Sequence, residues 1–409
     1  MKRILSVLLI IFISTIAVSA QKNSNEKMAD VKYRRSSLHT ILIESDKFPY
    51  KDAVINAYNN APFPDKYNNH NIGEKSFDPN RYGTPTSDTA GYKGIIDSYL
   101  KQNKIANKIV AKWFNRQDDG TFSMNLIGER GSYNASEMDV KIAKNSARGV
   151  ALLADAGEEL ISNTFVVVSR LYFVSNEIAA AAIRKGAILA ANEISNSLLR
   201  TVALKAADVA YEKGKEGYSV WTTSYLYRLA WNDSIAAVFY NDLWMDKSNP
   251  DPARKEKFDN SGLFHLDYIG YEHSSSLVTF SLKEKRSEEK IVEISTIRNI
   301  DAVYAKLQKK YDVFKTKTPL YTGYPITAKI GLKEGLEAGD RYEVLEQVMD
   351  DNGKTKYVRK GTIKVEKGQI WDNRFTEGDE KADPKQKIDR TFFDGGKDYY
   401  PGMLIRQIK

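Results

Sequence analysis

The sequence predicts an α+β protein: a mixed central α/β-sheet domain carrying a long amphipathic helix, followed by a small C-terminal antiparallel β-barrel. Three observations predict it. Thr164 to Val174 is a β-branched and aromatic run, the composition of a buried central strand. From Asn176 to Lys213, apolar residues recur every three or four positions, at Ile183, Ala187, Ala190, Ile194, Leu198, Val202, Ala206 and Val209, which traces one helical stripe. From Pro319 onward, short alternating strands are separated by Gly, Pro and an Asp350-Asp351-Asn352-Gly353 hairpin turn.

Taken in order, the chain divides at residues 1–20, 21–115, 116–318 and 319–409. Lys2 and Arg3 precede an apolar core from Ile4 to Ile16, and the small residues Val18-Ser19-Ala20 follow. That order is the pattern of a cleaved secretory signal, and the core is too short for a membrane span. The region 21–115 is a loop-rich α/β segment. Leu38–Ile43 reads as a strand, Lys51–Tyr58 as a short helix and Ile95–Phe114 as a longer one. The intervening stretch is broken by Pro62, Pro64, Pro79, Gly83 and Pro85.

Within 116–318, Phe122–Ile127 is expected as a strand and Ser136–Ile161 as a helix capped by Ser136. Gly217–Trp231 is a long strand whose one parity carries Trp221, Tyr225, Tyr227 and Trp231. Asn232-Asp233 then turns the chain, so that Ile235–Leu243 pairs back as a hairpin. Further strands are expected at Gly262–Tyr271, Leu277–Leu282 and Lys290–Ser295, before a helix over Thr296–Phe314. In 319–409, strands over Ile326–Ile330, Tyr342–Met349, Lys356–Val365, Gln369–Trp371, Thr391–Phe393 and Met403–Ile408 complete the barrel. A charged insertion spans Asp372–Arg390.

Composition limits the function classes. The 61 Lys and Arg against 53 Asp and Glu give +8, and removal of the leader takes Lys2 and Arg3, leaving about +6. No basic run interleaves with aromatics, so nucleic-acid binding is not expected. With no Cys, lipidation behind the signal and disulfide stapling are both excluded, which fits a bacterial envelope protein held together by its core. The expected location is the periplasm or the periphery of the outer membrane.

No catalytic centre is legible. G-x-S-x-G, HExxH and phosphate-binding glycine loops are all absent, and no cofactor is expected. The best metal-ligating pattern is His265, Asp267 and His273, which share one face of an uninterrupted strand. The two imidazoles would then stand about 26 Å apart, so a bend at Gly270 would have to bring them together. For the aromatic face of Trp221, Tyr225, Tyr227 and Trp231, three readings stand: packing against the long helix, a platform for glycan, or a hairpin over 217–244 inserted in the outer membrane.

The C-terminal residues Gly335-Leu336-Glu337-Ala338-Gly339-Asp340-Arg341-Tyr342-Glu343-Val344, then Gly361-Thr362-Ile363-Lys364-Val365, then Pro401-Gly402-Met403, carry a resemblance. Over about a fifth of the chain they resemble the small β-barrel module of bacterial envelope-assembly proteins of the flagellar-assembly and curli-secretion type. The resemblance implies an envelope setting and an assembly role, and no chemical site. The expectation is therefore an exported, non-catalytic scaffold, assembly or binding factor. Its partner would be another envelope protein or a second copy of itself, with membrane association possible. The alternative is an exported hydrolase or glycan-binding protein using the aromatic face or the His265–His273 segment.

Overall fold

The computed structural model describes residues 33–86, 88–133, 160–215, 217–277, 287–349, 355–374, 388–396 and 398–408. The leader, most of the expected Ser136–Ile161 helix, the Asp350–Gly353 turn and much of the Asp372–Arg390 insertion lie outside them. The fold is α+β, with two sheets in two compact units. One unit spans residues 35–314, so the boundary expected near 115 falls inside it. The second spans residues 315–374 and the C-terminal strands, with Tyr33 and Arg34.

The larger unit is built on a sheet ordered β2-β1-β4-β5-β6. Its strands are β1 (Ser37–Ile43), β2 (Asn68–Asn69), β3 (Ser76–Phe77), β4 (Thr164–Ser175), β5 (Tyr218–Leu229) and β6 (Leu266–Leu277). β1 pairs in parallel with β4 over its whole length, from Ser37 opposite Thr164 to Ile43 opposite Arg170. This ladder joins the residues before 115 to those after it, which is why they form one unit.

β4 runs antiparallel to β5, from Phe165 opposite Arg228 to Ser175 opposite Tyr218. β5 in turn pairs with β6. Helices cover both faces. The α1 helix (Lys51–Asn60) and α9 (Glu288–Lys310) pack on Leu38, Leu42, Phe165, Val167 and Leu226. On the other face, α2 (Thr89–Gln102) and α3 (Ile105–Trp113) enclose Ile41, Val166, Val168, Tyr225 and Tyr227. Strict alternation along β1, β4 and β5 sends neighbouring side chains into different cores.

Several local expectations give way to tertiary context. Phe122–Ile127 is not a strand: Phe122 is a buried coil residue, and α4 (Asn125–Tyr133) begins shortly after it. Ile235–Leu243 does not pair back on β5. Asn232 accepts from the Ile235 amide and starts α7 (Asp233–Val238), which continues as a π-helical turn to Leu243. That cap satisfies a helix N-terminus and diverts the chain from a hairpin. Lys290–Ser295 is the first part of α9, capped by Ser287. The long helical stretch is two helices, α5 (Asn176–Asn192) and α6 (Ser197–Gly214), because Asn196 caps α6 through the amides of Leu198 and Leu199. Between α7 and β6 lies α8 (Pro252–Asn260).

The smaller unit is an antiparallel sheet ordered β7-β12-β9-β10-β11-β8. It comprises β7 (Thr318–Pro319), β8 (Ile326–Ala328), β9 (Arg341–Met349), β10 (Thr355–Val365), β11 (Thr391–Asp394) and β12 (Leu404–Gln407). A bridge between Thr322 and Thr327 brings its end strands toward closure around Leu320, Leu336, Tyr342, Val344, Ile363, Phe393 and Ile405. In the Gly335–Val344 stretch, Gly335 and Gly339 take positive φ in the turn, while Leu336, Tyr342 and Val344 fill the core.

One glycine in the larger unit is demanded by space. β6 carries a register shift opposite Leu226 and Tyr227, and the phenol of Tyr311 closes it, receiving the Tyr271 amide and donating to the Tyr271 carbonyl at 3.0 Å each. A Cβ on Gly270 would lie 2.1 Å from that phenol oxygen. Gly270→Ala is therefore expected to displace Tyr311 and cost about 1–3 kcal/mol, read as a lower midpoint in urea unfolding with little change in slope.

Candidate functional site

The β4–β5 ladder runs past α2 and α3 on one face, while α9 still covers Leu171, Val220 and Thr222 on the other. At its far end Tyr172 and Trp221 stand opposite one another and are both about half exposed. The chain leaves β4 there, forms α5 and α6, and returns into β5. Ser175 caps α5 through the Glu177 amide, and Asn176 accepts from the Ser219 hydroxyl at 2.8 Å, fastening the base of the arm.

The two helices of this arm bury almost nothing but alanine against each other: Ala180, Ala191 and Ala207. Of their large apolar side chains, Ile188, Leu204 and Tyr211 are half-buried and the others are exposed. Ile178, Ile183, Leu189, Leu198, Leu199, Val202 and Val209 are all exposed, Leu198 at 74% and Ile183 at 69%. Together with Tyr172 and Trp221, the segment 172–221 holds nine of the fifteen exposed large hydrophobic side chains among the described residues. Exposed apolar side chains are thus concentrated on this segment instead of being scattered singly over the surface. No helix among the described residues is long and apolar enough to cross a membrane.

The aromatic residues singled out from the sequence separate. Tyr225 and Tyr227 are buried core side chains, packed under α2 rather than against the long helical stretch. Their phenols donate to the Thr89 carbonyl at 3.3 Å and to Asp97 at 2.8 Å, and burial pushes both well up from the ordinary tyrosine range. Trp231 lies beyond the end of β5 and stacks on Phe264 within the aromatic core that includes Phe114 and Phe239. Only Trp221 faces solvent at the exposed end.

The histidine pattern separates as well. The register shift in β6 places Asp267 opposite Arg228 and His273 opposite Thr223, which lie on different faces of β5. His265 Nε2 approaches Asp267 at 3.7 Å, while His273 Nδ1 is 2.8 Å from the Thr223 hydroxyl. Gly270 thus does not bring the two imidazoles together. Among the described residues no group of three or more His, Asp or Glu side chains comes together to hold a metal.

His265, Asp267 and Tyr227 do share a groove of about 590 Å³ with Lys93, Asp97 and Tyr268. Lys93 pairs with Asp97 at 2.5 Å, and its ammonium sits 4.8 Å from the centre of the Tyr268 ring. The groove offers an aromatic wall with mixed charge, a surface suited to holding a polar ligand. The described groups in it include no nucleophile positioned by a base.

A buried polar cluster at the other end of the sheet was not legible in the sequence. His70 Nε2 donates to the Ile109 carbonyl at 3.0 Å, leaving Nδ1 to accept from Arg130 at 2.9 Å. Arg130 also donates to Ser37 and to the Asn69 carbonyl, and stacks over Trp113. Burial lowers its pKa to about 10. His39 is buried nearby with no well-formed hydrogen bond to either ring nitrogen. Burial and the adjacent Lys112 cation lower its pKa to about 3.

No family model matches the chain. No curated protein matches it either.

The histidines set an acid limit on stability. His39 stays neutral in the fold down to about pH 3 but takes up a proton near 6.5 when unfolded. The unfolded state therefore binds more protons between those values. The contribution is complete above pH 6.5 and is lost as pH falls toward 3, by up to about 1.4 kcal/mol per pH unit. His39→Leu removes the two unsatisfied nitrogens and is expected to flatten the fall in melting temperature between pH 7.5 and 5.

Proposed function

We propose that this chain is an exported, non-catalytic protein of the bacterial envelope that acts as a scaffold, assembly or binding factor, joining another envelope component or a second copy of itself. The observation that carries the reading is the α5–α6 arm. It leaves Ile178, Ile183, Leu189, Leu198, Leu199, Val202 and Val209 exposed, and among the described residues its fully buried apolar side chains are Ala180, Ala191 and Ala207 alone. A helix that is apolar around most of its circumference is ordinarily buried. Exposing those residues is favourable only where something else covers them, at roughly 1.5–3 kcal/mol for each side chain fully removed from water. The sequence supports the setting through its signal-like leader, its lack of cysteine and the resemblance of its C-terminal strands to envelope-assembly modules.

The reading is tested by placing a photo-crosslinking residue at Leu198 in cells that express the full chain. A discrete adduct is expected there and not at Val313, an exposed position away from the arm. Leu198→Glu combined with Val202→Glu should abolish an adduct formed from Ile183. Because both side chains already face solvent, stability should stay within about 0.5 kcal/mol of the parent. Absence of an adduct from every arm position would remove the reading.

The runner-up, an exported glycan-binding protein or hydrolase, is favoured by the groove beside His265, Asp267 and Tyr268. Soluble oligosaccharides that perturb the His265 imidazole resonances of the full chain, and cease to do so in Tyr268→Ala, would support it.

A further inference from the structure

We propose that the groove beside β6 is a peptide-binding site, in which an extended segment carrying an acidic side chain adds to the open edge of the sheet. The site lies apart from the arm, so the proposal goes beyond the assembly reading and does not depend on it.

β6 is the last strand of its sheet, and among the described residues no strand neighbours its outer edge. The ladder fixes which backbone groups lie there. The Ala230 amide donates to the His265 carbonyl at 3.0 Å, and the register continues as Leu229 with Leu266, Arg228 with Asp267 and Tyr227 with Tyr268. In an antiparallel pair only alternate residues bond the partner strand. His265 and Asp267 therefore turn their N–H and C=O groups toward β5, while those of Leu266 and Tyr268 point away from it.

Beyond the register shift the outward residues are Tyr271 and His273, and there the edge is guarded. Tyr311 and Lys310 hold the Tyr271 backbone, and Lys306 donates to the His273 carbonyl at 2.9 Å. No such cap covers the outward groups of Leu266 and Tyr268 among the described residues. These groups recur two residues apart, about 7 Å, which is the repeat of another extended backbone. That repeat favours a peptide over a carbohydrate, since a strand added to an edge supplies matching donors and acceptors.

Charge narrows the peptide. Leu266 and Tyr268 line the 590 Å³ groove together with Lys93, Asp97, Lys101 and Lys104. Lys93 is neutralised by Asp97 at 2.5 Å. Lys104 donates to the uncharged Asp259 carbonyl, and Lys101 has no partner among the described residues. Two cations at the end of α2 thus stand without a carboxylate. The groove's other acid, Asp267, alternates to the opposite face of β6 from Tyr268 and approaches His265 at 3.7 Å. An acidic side chain on the incoming segment would offset Lys101 and Lys104, while its apolar neighbours pack on the half-buried Tyr268 ring.

The test selects ligands from a phage-displayed library of random linear heptapeptides on the immobilised full chain, then measures the selected peptides by fluorescence anisotropy. Enriched peptides are expected to carry Asp or Glu among β-branched residues and to bind at about 1–100 µM. Lys101→Gln/Lys104→Gly should bind them at least about tenfold more weakly. Both lysines are exposed and Lys104 has a φ of 49°, which glycine adopts freely, so the melting temperature should not change. Methylating the peptide's amide nitrogens one at a time should abolish binding at alternate positions and leave the others within about twofold. The proposal is overturned by a library with no peptide enriched over the bare support, by equal binding to the variant, or by tolerance of N-methylation at every position. Oligogalacturonate that binds in place of peptide, and is lost in Tyr268→Ala, overturns it in favour of the carbohydrate reading. Crosslinking from Leu198 involves none of these residues, so this proposal and the assembly reading fail separately.

Discussion

The β4–β5 ladder is the interaction on which the rest of the larger unit depends. It pairs Phe165 to Ser175 with Arg228 to Tyr218 without interruption, and a buried bond between the Ser169 and Ser224 hydroxyls at 2.8 Å ties its middle. Its first half is sandwiched between two hydrophobic cores and is bound to β1 on one side and β6 on the other. On one face the second half runs past that cover, while on the other α9 still buries Leu171 and Val220. Once a buried half fixes the register, the exposed half must follow it, because a slip of one residue would turn Val166, Val168, Tyr225 and Tyr227 to the wrong face. The covered core thus determines where Tyr172 and Trp221 stand, and where the arm begins.

Features set by local composition or periodicity were legible in the sequence. The Thr164–Val174 strand, the Lys51 helix, the C-terminal barrel strands and the helical character of 176–213 all follow from side chains near one another in the chain. What could not be read was set by single caps that override a periodic pattern, or by distant partners. The Asn196 cap divides one apparent stripe into two helices, and the expectation of a single long helix laid on the sheet gives way to a helical pair. Asn232 carries turn chemistry, but its side chain accepts from the Ile235 amide and so starts a helix where a hairpin was expected. Alternation correctly placed Trp221, Tyr225, Tyr227 and Trp231 on one parity. It could not show that α2 covers the middle of that face and leaves Trp221 uncovered.

The histidine segment illustrates the same limit more sharply. On paper His265, Asp267 and His273 share a face, and one extra residue in β6 is enough to separate Asp267 from His273. The cause lies some forty residues further on, where the Tyr311 phenol occupies the space that any side chain at Gly270 would need. A glycine in a strand signalled the irregularity, but nothing nearby in the sequence identified the ring that exploits it. The buried His70–Arg130 pair was equally hidden, since His70 follows a two-residue strand and Arg130 lies on a separate helix.

The arm's own energetics point outward. Isolated helices of seventeen or eighteen residues are marginal in water, and most helical stability in proteins comes from packing an apolar face. In α5 and α6 the mutual contact buries mainly alanines, which contribute little area, while the side chains with the largest transfer free energy face solvent. Caps at Ser175 and Asn196 and the Arg184–Asp208 pair stabilise the helical form locally, the pair weakly because it is exposed. A sequence selected only for a solvated hairpin would place leucine inside and alanine outside. Here seven large apolar side chains stay outside, beside the exposed Ala181, Ala182, Ala187, Ala190, Ala206 and Ala210, so the pair leaves most of its apolar area unburied.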